Sequence, residues 1–219
     1  MSQWTDKTVV ITGANGGLGR GLMSEFQSAG ARVIGVGHSQ ISEPLPGPEY
    51  HVTDLLDEES IGLLFERIAQ PWAVINTVGG FAPHRELTEL NVAEIDNQFQ
   101  LNLITAATLT KHALRAMRGS GRIVHTASRA ATQPSGSGFA YSVSKSAVLH
   151  LVKMVAAEYA STDIRIHAVS PEIIDTPANR AAMPQADHAS WARPADIARA
   201  YRFLAAPDSP AKTGTIISV

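Results

Sequence analysis

Between Thr8 and Gly19 the chain reads TVVITGANGGLG, a strand that passes into a helix through four glycines. Val9-Val10-Ile11 is a β-branched run of the kind that forms a short buried strand. Gly13, Gly16, Gly17 and Gly19 interrupt it, and Arg20 to Phe26 continues as a helical segment. Such a junction brings backbone N–H groups and the positive end of a helix dipole to one point, where a phosphate or diphosphate binds. A β-carbon there would block the tight turn and hold a diphosphate away. The spacing Gly13-x3-Gly17-x-Gly19 is not the GxGxxG fingerprint, however, and glycine turns after strands also occur with no ligand.

The rest of the chain keeps the strand–helix alternation. Leu22, Phe26 and Ala29 fall at helical spacing, Gly30 stops that helix, and Arg32–Gly37 reads as a second strand. Gln40 to Tyr50, with three prolines, reads as a loop, and Tyr50–Thr53 as a third strand ending at Asp54. A helix over Glu58–Ile68 leads to a fourth strand, Trp72–Asn76, closed by Gly79-Gly80. The pattern then predicts a long helix over Val92–Met117, a strand at Arg122–Thr126, a helix over Phe139–Tyr159 and a strand at Ile164–Val169. A helix over Pro194–Leu204 and a last strand at Thr215–Val219 complete it. This order implies an α/β protein with a parallel sheet covered on both faces and ligands at the carboxyl ends of the strands. No linker, repeat or low-complexity tract divides the 219 residues, so one domain over 1–219 is expected.

Bulk properties narrow the function classes. A formal net charge of −2 gives no reason to expect a nucleic acid or an acidic membrane as partner. The absence of cysteine excludes disulfides, a thiolate nucleophile and cysteine-ligated metal. No apolar run approaches the roughly 20 residues of a membrane span, and MSQWTDKTVV lacks the pattern of a signal peptide. A soluble, cytoplasmic protein is expected. His84, His112, His125, His150, His167 and His188 are scattered without HxH or HxxxH spacing, so no metal is expected.

Chemistry is carried by Tyr141-Ser-Val-Ser-Lys145. Residues four apart share a helix face, so phenol and ammonium point into the same space. A phenol of pKa near ~10 is a poor acid at neutral pH. A nearby ammonium favours the phenolate and is expected to lower that pKa, making a usable general acid for a developing alkoxide. An ordinary exposed Tyr–Lys pair is the alternative. Ser128 follows the fifth strand, at a carboxyl end, where its hydroxyl can donate to a substrate carbonyl.

Taken together, Thr12-Gly13-x3-Gly17-x-Gly19, Ser128 thirteen residues before Tyr141, and Tyr141-x3-Lys145 resemble the short-chain dehydrogenase/reductase family, over essentially the whole chain. The resemblance implies a single Rossmann-like, doubly wound parallel β-sheet with helices on both faces. It also implies hydride transfer between NAD(P)H and a carbonyl or alcohol held by Ser128 and Tyr141, with Lys145 on the nicotinamide ribose. Asn102 matches the family position that holds a water in a proton relay with the lysine; a buried side chain bonded to backbone is its alternative. Cofactor contacts are implied at Gly13, Asn15, Gly16, Gly17, Leu18 and Gly19 in the turn, and at Gly37, His38 and Ser39 after the second strand. Further contacts are implied at Asp54-Leu55, at Asn76 and Gly79 (Asn-Thr-Val-Gly standing for the family's Asn-Asn-Ala-Gly), at Tyr141 and Lys145, and at Pro171, Ile174 and Thr176. Glu172 replaces a family glycine beside Pro171. Family members commonly pair through the two long helices, which implies a homodimer or homotetramer.

From Asp175 to Trp191, with its Asn-Arg, Met-Pro, Ala-Asp and Ser-Trp steps, the chain is similar to the dihydropteridine reductases. That similarity implies a lid-like segment over about 175–193 and a quinonoid pterin as an alternative acceptor. Pterin reductases lack the serine, however, and carry an acid at the end of the second strand for NADH. Gly37 stands there, followed by His38 and Ser39, so nothing acidic refuses a 2′-phosphate. NADP(H) is therefore slightly favoured over NAD(H). Phe81, His84, Phe139, Met183 and Trp191 are candidate substrate contacts, or simply packed loop residues. A dinucleotide-binding regulator without turnover is the reading from another class.

Overall fold

The structure is a computed structural model and describes residues 2–40, 47–81, 86–133 and 138–219. Its strands are β1 (Thr8–Thr12), β2 (Arg32–Gly37), β3 (Glu49–Val52), β4 (Ala73–Asn76), β5 (Ser120–Thr126), β6 (Asp163–Ser170) and β7 (Ile216–Ser218). All neighbours pair in parallel, in the order β3-β2-β1-β4-β5-β6-β7. Strand order reverses between β1 and β4, and a crevice for ligands opens at the carboxyl ends on either side of such a reversal.

The helices are α1 (Gly17–Ser28), α2 (Glu58–Arg67), α3 (Val92–Phe99), α4 (Thr105–Met117), α5 (Phe139–Glu158), α6 (Pro177–Ala182) and α7 (Pro194–Ala205). One sheet face sends Val9, Ile11, Val124 and Val169 against Leu22 and Phe26 of α1 and Ile197, Tyr201 and Leu204 of α7. The other sends Val10, Ile34, Val74, Ile123 and Ile166 against Leu64 of α2, Leu109 of α4 and Leu149 and Val152 of α5. Successive strand residues point to opposite faces, so a sheet covered on both sides needs apolar residues at consecutive positions. The run Val9-Val10-Ile11 meets that need, and all three are fully buried. Among the described residues no helix is long and apolar enough to cross a membrane.

Two expectations change. The third strand begins at Glu49, one residue early, and most of the Gln40–Tyr50 loop lies outside the described residues. The long helix expected over Val92–Met117 is interrupted by a π-helical turn at Gln100–Ile104. Nothing in the 3.6-residue apolar period announces that turn. Its cause is tertiary: Asn102 lies in its middle and is clasped to the loop after β4, as described next. Such turns occur mostly as single inserts in α-helices, often at functional sites.

Candidate active site

The glycine turn packs so closely that side chains have no room in it. Gly13 has φ +72°, and a β-carbon there would run into Thr77, which follows β4. One on Gly19 would strike the Gly13 carbonyl, and one on Gly17 would come within 2.7 Å of Thr176 Cγ2. Thr77 reinforces the turn, its hydroxyl donating to the Thr12 carbonyl at 2.7 Å. Helix α1 opens at Gly16 with no side chain capping its first N–H groups. These backbone donors and the helix dipole suit a diphosphate, so the residues present fit a dinucleotide. Leu18 is buried in the α1–α7 core and anchors the helix.

The acid–base group assembles from β5, α5 and the π turn. Ser128 lies two residues past β5, and its hydroxyl stands near the Tyr141 phenol while accepting from Ala130 N–H at 3.2 Å. Burial pushes the phenol above its ordinary pKa, against the pull of Ser128. This corrects the expectation that Lys145 lowers it. Burial of the phenol dominates, and the ammonium turns aside to donate to the Thr126 carbonyl at 3.0 Å. Lys145 is itself buried, and loss of hydration lowers its pKa to about 8.

Asn102 is 1% exposed and holds Gly80 from both sides. Its Oδ1 accepts from Gly80 N–H at 3.1 Å, and its Nδ2 donates to the Gly80 carbonyl at 3.2 Å. The same amide donates to Ser144 Oγ at 3.0 Å, and Ser144 donates to the Tyr141 carbonyl at 2.8 Å. A β-carbon on Gly79 would lie 2.7 Å from both Asn102 Oδ1 and Lys145 Nζ. The loop after β4, the π turn and α5 therefore meet at one point.

A family model described as enoyl-(acyl carrier protein) reductase matches residues 13–219. The chain is 30% identical to cis-4-hydroxycyclohexanecarboxylate dehydrogenase of Sinomonas cyclohexanicum, covering 99% of this chain and 96% of that one. It is 29% identical to 7alpha-hydroxysteroid dehydrogenase of Bacteroides fragilis, covering 100% and 95%. Among solved structures, a putative short-chain dehydrogenase of Shigella flexneri complexed with NADP superposes with a TM-score of 0.89 at 25% identity, covering 99% and 98%. This chain belongs to the short-chain dehydrogenase/reductase family. It is accordingly an oxidoreductase acting on alcohol or carbonyl groups.

Other residues of this family member that the resemblance implies in nucleotide binding fall into supporting places. Asn76 is buried, accepting from Thr12 Oγ1 at 2.8 Å and Val78 N–H at 3.0 Å, with its amide 3.3 Å from His125. Its side chain is engaged inside the protein and shapes the Val78-Gly79 backbone. Leu55 is likewise core, and exposed Asp54 accepts from Leu56 N–H at 2.9 Å. Pro171 is buried, and its carbonyl accepts from Arg129 N–H at 3.0 Å, joining the ends of β5 and β6. Arg129 also pairs with Glu172. Thr176 caps α6 and packs on Gly17, while the Ile174 carbonyl accepts from Asn179 at 2.8 Å.

At the tip of β2 packs a residue that none of the sequence motifs includes. Tyr50 pairs with Gly35 in the β2–β3 register, and a β-carbon on Gly35 would lie 3.1 Å from its ring. One on Gly37 would collide with its hydroxyl. That hydroxyl lies 2.6 Å from Asn15 Oδ1 and 2.7 Å from the Ser39 carbonyl, and Asn15 Nδ2 donates to the same carbonyl at 2.9 Å. The alternation Gly35-x-Gly37 was the available signal, since two glycines on one strand face leave a groove. His38 is exposed beside this network.

On the substrate side, Phe81 is 58% exposed and meets the Tyr141 ring edge-on at 5.2 Å, and Phe139 opens α5 at 39% exposure. Trp191 is buried and packs on His188 at 4.5 Å, so it serves its own loop. Met183 is half-buried, its carbonyl bonded to the same histidine at 2.8 Å. His84 lies outside the described residues. Among the described residues, no group of three His, Asp or Glu side chains is placed to hold a metal.

Proposed function

We propose that this chain is an NAD(P)H-dependent reductase of ketones, or oxidant of the matching secondary alcohols, with Ser128, Tyr141 and Lys145 as its catalytic residues. The observation that carries it is the Ser128 hydroxyl brought beside the Tyr141 phenol, with a buried lysine one helical turn on. A bound nicotinamide supplies or accepts the hydride. Ser128 Oγ–H donates to the substrate oxygen and orients it, and the Tyr141 hydroxyl gives that oxygen its proton as charge develops there. The Lys145 ammonium stabilises the phenolate left behind and binds the nicotinamide ribose. Asn102 keeps the Gly79-Gly80 backbone against Lys145, and a water on this group is the expected route for proton return.

Exposed Phe81 and Phe139 beside Tyr141 favour an apolar acceptor, and the two dehydrogenases reported above are named for alcohols on carbocycles, so a cyclic ketone is the first choice. NADP(H) is slightly favoured over NAD(H), supported by the acid-free tip at Gly37 and the NADP complex of the Shigella relative. A quinonoid pterin is the second acceptor class. Its support is the Asp175–Trp191 stretch, a loop tied at its base by the Ile174–Ala192 bridge and by the Asp175–Arg180 pair, and read as a lid over 175–193. The whole chain, 1–219, is read as one dinucleotide-binding domain. Exposed Ile104 on the π turn and Val143 and Met154 on α5 support self-association as a homodimer or homotetramer; sedimentation as a monomer at micromolar concentration would refute it.

The mechanism is tested with Tyr141→Phe and Lys145→Ala. Loss of the general acid should lower kcat by about 100-fold or more while dinucleotide affinity of the tyrosine variant changes little. Near wild-type turnover in both variants would overturn the assignment. Binding of dinucleotide by the wild type with no oxidation of NADH or NADPH by cyclic ketones, aldehydes or quinonoid dihydropterin would favour a non-catalytic regulator.

A further inference from the structure

Tyr50 belongs to β3, not to the glycine turn or the β2 tip, yet it joins the two. Its ring fills the groove that Gly35 and Gly37 leave on one face of β2, and its hydroxyl arrives at the β2 carboxyl end. There its single proton is shared between two acceptors, Asn15 Oδ1 at 2.6 Å and the Ser39 carbonyl at 2.7 Å. The Asn15 amide donates back to that carbonyl at 2.9 Å and lies 3.4 Å from Ser39 Oγ. This pattern also settles which way the Asn15 amide points, because the flipped amide would set oxygen against the Ser39 carbonyl. Arg20, in the first turn of α1, sends Nε to the Asn15 carbonyl at 3.4 Å, and its positive charge acts on the phenol.

Two consequences follow. Residue 37 cannot carry any side chain while Tyr50 lies in the groove, so a carboxylate that would bind a ribose 2′-OH and repel a 2′-phosphate has no room there. The groups that remain at the tip are the donors His38 and Ser39, with a guanidinium close by. A phosphate at this place gains from donors held in advance, more than a hydroxyl does, because charge-assisted bonds depend most on placement.

We propose that Tyr50 sets the cofactor choice of this protein: it excludes an acidic side chain from position 37 and, through Asn15 and Ser39, positions the β2 tip to accept the 2′-phosphate of NADP(H). The proposal rests on the dinucleotide site described above. Tyr50 is a positioning residue and no reacting atom touches it.

Isothermal titration of the purified protein with NADP⁺ and NAD⁺, and with adenosine 2′,5′-bisphosphate against AMP, tests it without turnover. Wild type should prefer the 2′-phosphorylated member of each pair. Tyr50→Phe keeps the ring in its groove and removes only the hydroxyl; the NADP⁺ preference should fall about three- to tenfold, the value of one or two hydrogen bonds. Gly37→Asp alone should weaken both dinucleotides, whereas Gly37→Asp with Tyr50→Ala should bind again and prefer NAD⁺. Wild-type preference for NAD⁺ overturns the proposal, as does an unchanged ratio, or equal weakening of both dinucleotides, in Tyr50→Phe. Retention of the NADP⁺ preference by the double variant does so too. If that double variant does not fold, the ratio in Tyr50→Phe decides. Failure of wild type to bind either dinucleotide would instead remove the site on which the proposal stands.

Discussion

Lys145 shows how placement changes a familiar side chain. Burial lowers its pKa to about 8, and burial raises that of Tyr141, so the one proton that reduction consumes and the ammonium beside it are both in place at neutral pH. Raising the pH through about 8 removes the lysine charge first. Reductive kcat/KM should therefore be level below that value and fall above it; a profile flat from pH 6 to 9.5 would contradict these roles. Gly79 makes a second prediction at this scale. Gly79→Ala places a methyl group 2.7 Å from Asn102 Oδ1 and Lys145 Nζ, so activity should drop about tenfold or more, with a lower unfolding temperature as the Gly80 clasp is strained. Chemical shifts of the α5 amides, or kcat with Kd for dinucleotide, would reveal that displacement.

At the scale of elements, the π turn between α3 and α4 decides where the site closes. A regular helix over Val92–Met117 would rotate Asn102 away from Gly80, and the extra residue of the turn brings it round. Gln98 supports it, its Oε1 lying 3.3 Å from the Asn102 amide. Asn102→Ala leaves Gly80 N–H and Gly80 carbonyl without this partner, a loss of about 1–3 kcal/mol in stability by chemical denaturation, accompanied by lower kcat. A loss of stability with kcat intact would confine Asn102 to the buried clasp. Both readings, a relay position and a buried side chain bonded to backbone, were open from the sequence, because spacing alone does not report what an asparagine on a helix faces.

Across the whole molecule, the parallel sheet carries two histidines where water does not reach. His125 on β5 is held between Asn76 and Thr110 Oγ1 at 2.9 Å, and burial, with Lys145 nearby, drops its pKa from 6.5 to about 3. His167 on β6 is buried beside Arg122 and Arg165 and falls to about 4. Below pH 6.5 the unfolded chain takes up these protons and the folded one does not, so stability is complete above 6.5 and is lost as pH falls toward 4 and then 3. Over that whole range the loss is about 3 kcal/mol for His167 and about 5 kcal/mol for His125, at roughly 1.4 kcal/mol per unit of pKa. The urea midpoint should be clearly lower at pH 4.5 than at pH 7, and an unchanged midpoint would refute the burial of both rings.

What the sequence determined by itself is the class of protein. Period-3.6 segments alternating with β-branched runs leave few topologies besides a parallel sheet covered on both faces, and glycines after β1 require a close backbone approach whatever surrounds them. The spacing from Ser128 to Tyr141 and Lys145 survived into contact because β5 and α5 are adjacent and joined by a short segment. Tertiary structure decided the rest. Burial, which no spacing reports, reversed the expected shift of Tyr141 and drew Asn76 and Trp191 inside the protein. Tyr50 and Asn15 are 35 residues apart, and only the β1-β2-β3 order brings the phenol to the glycine turn. Local pattern records which faces an element must bury; which distant side chain fills a given groove depends on the packing of all of them at once.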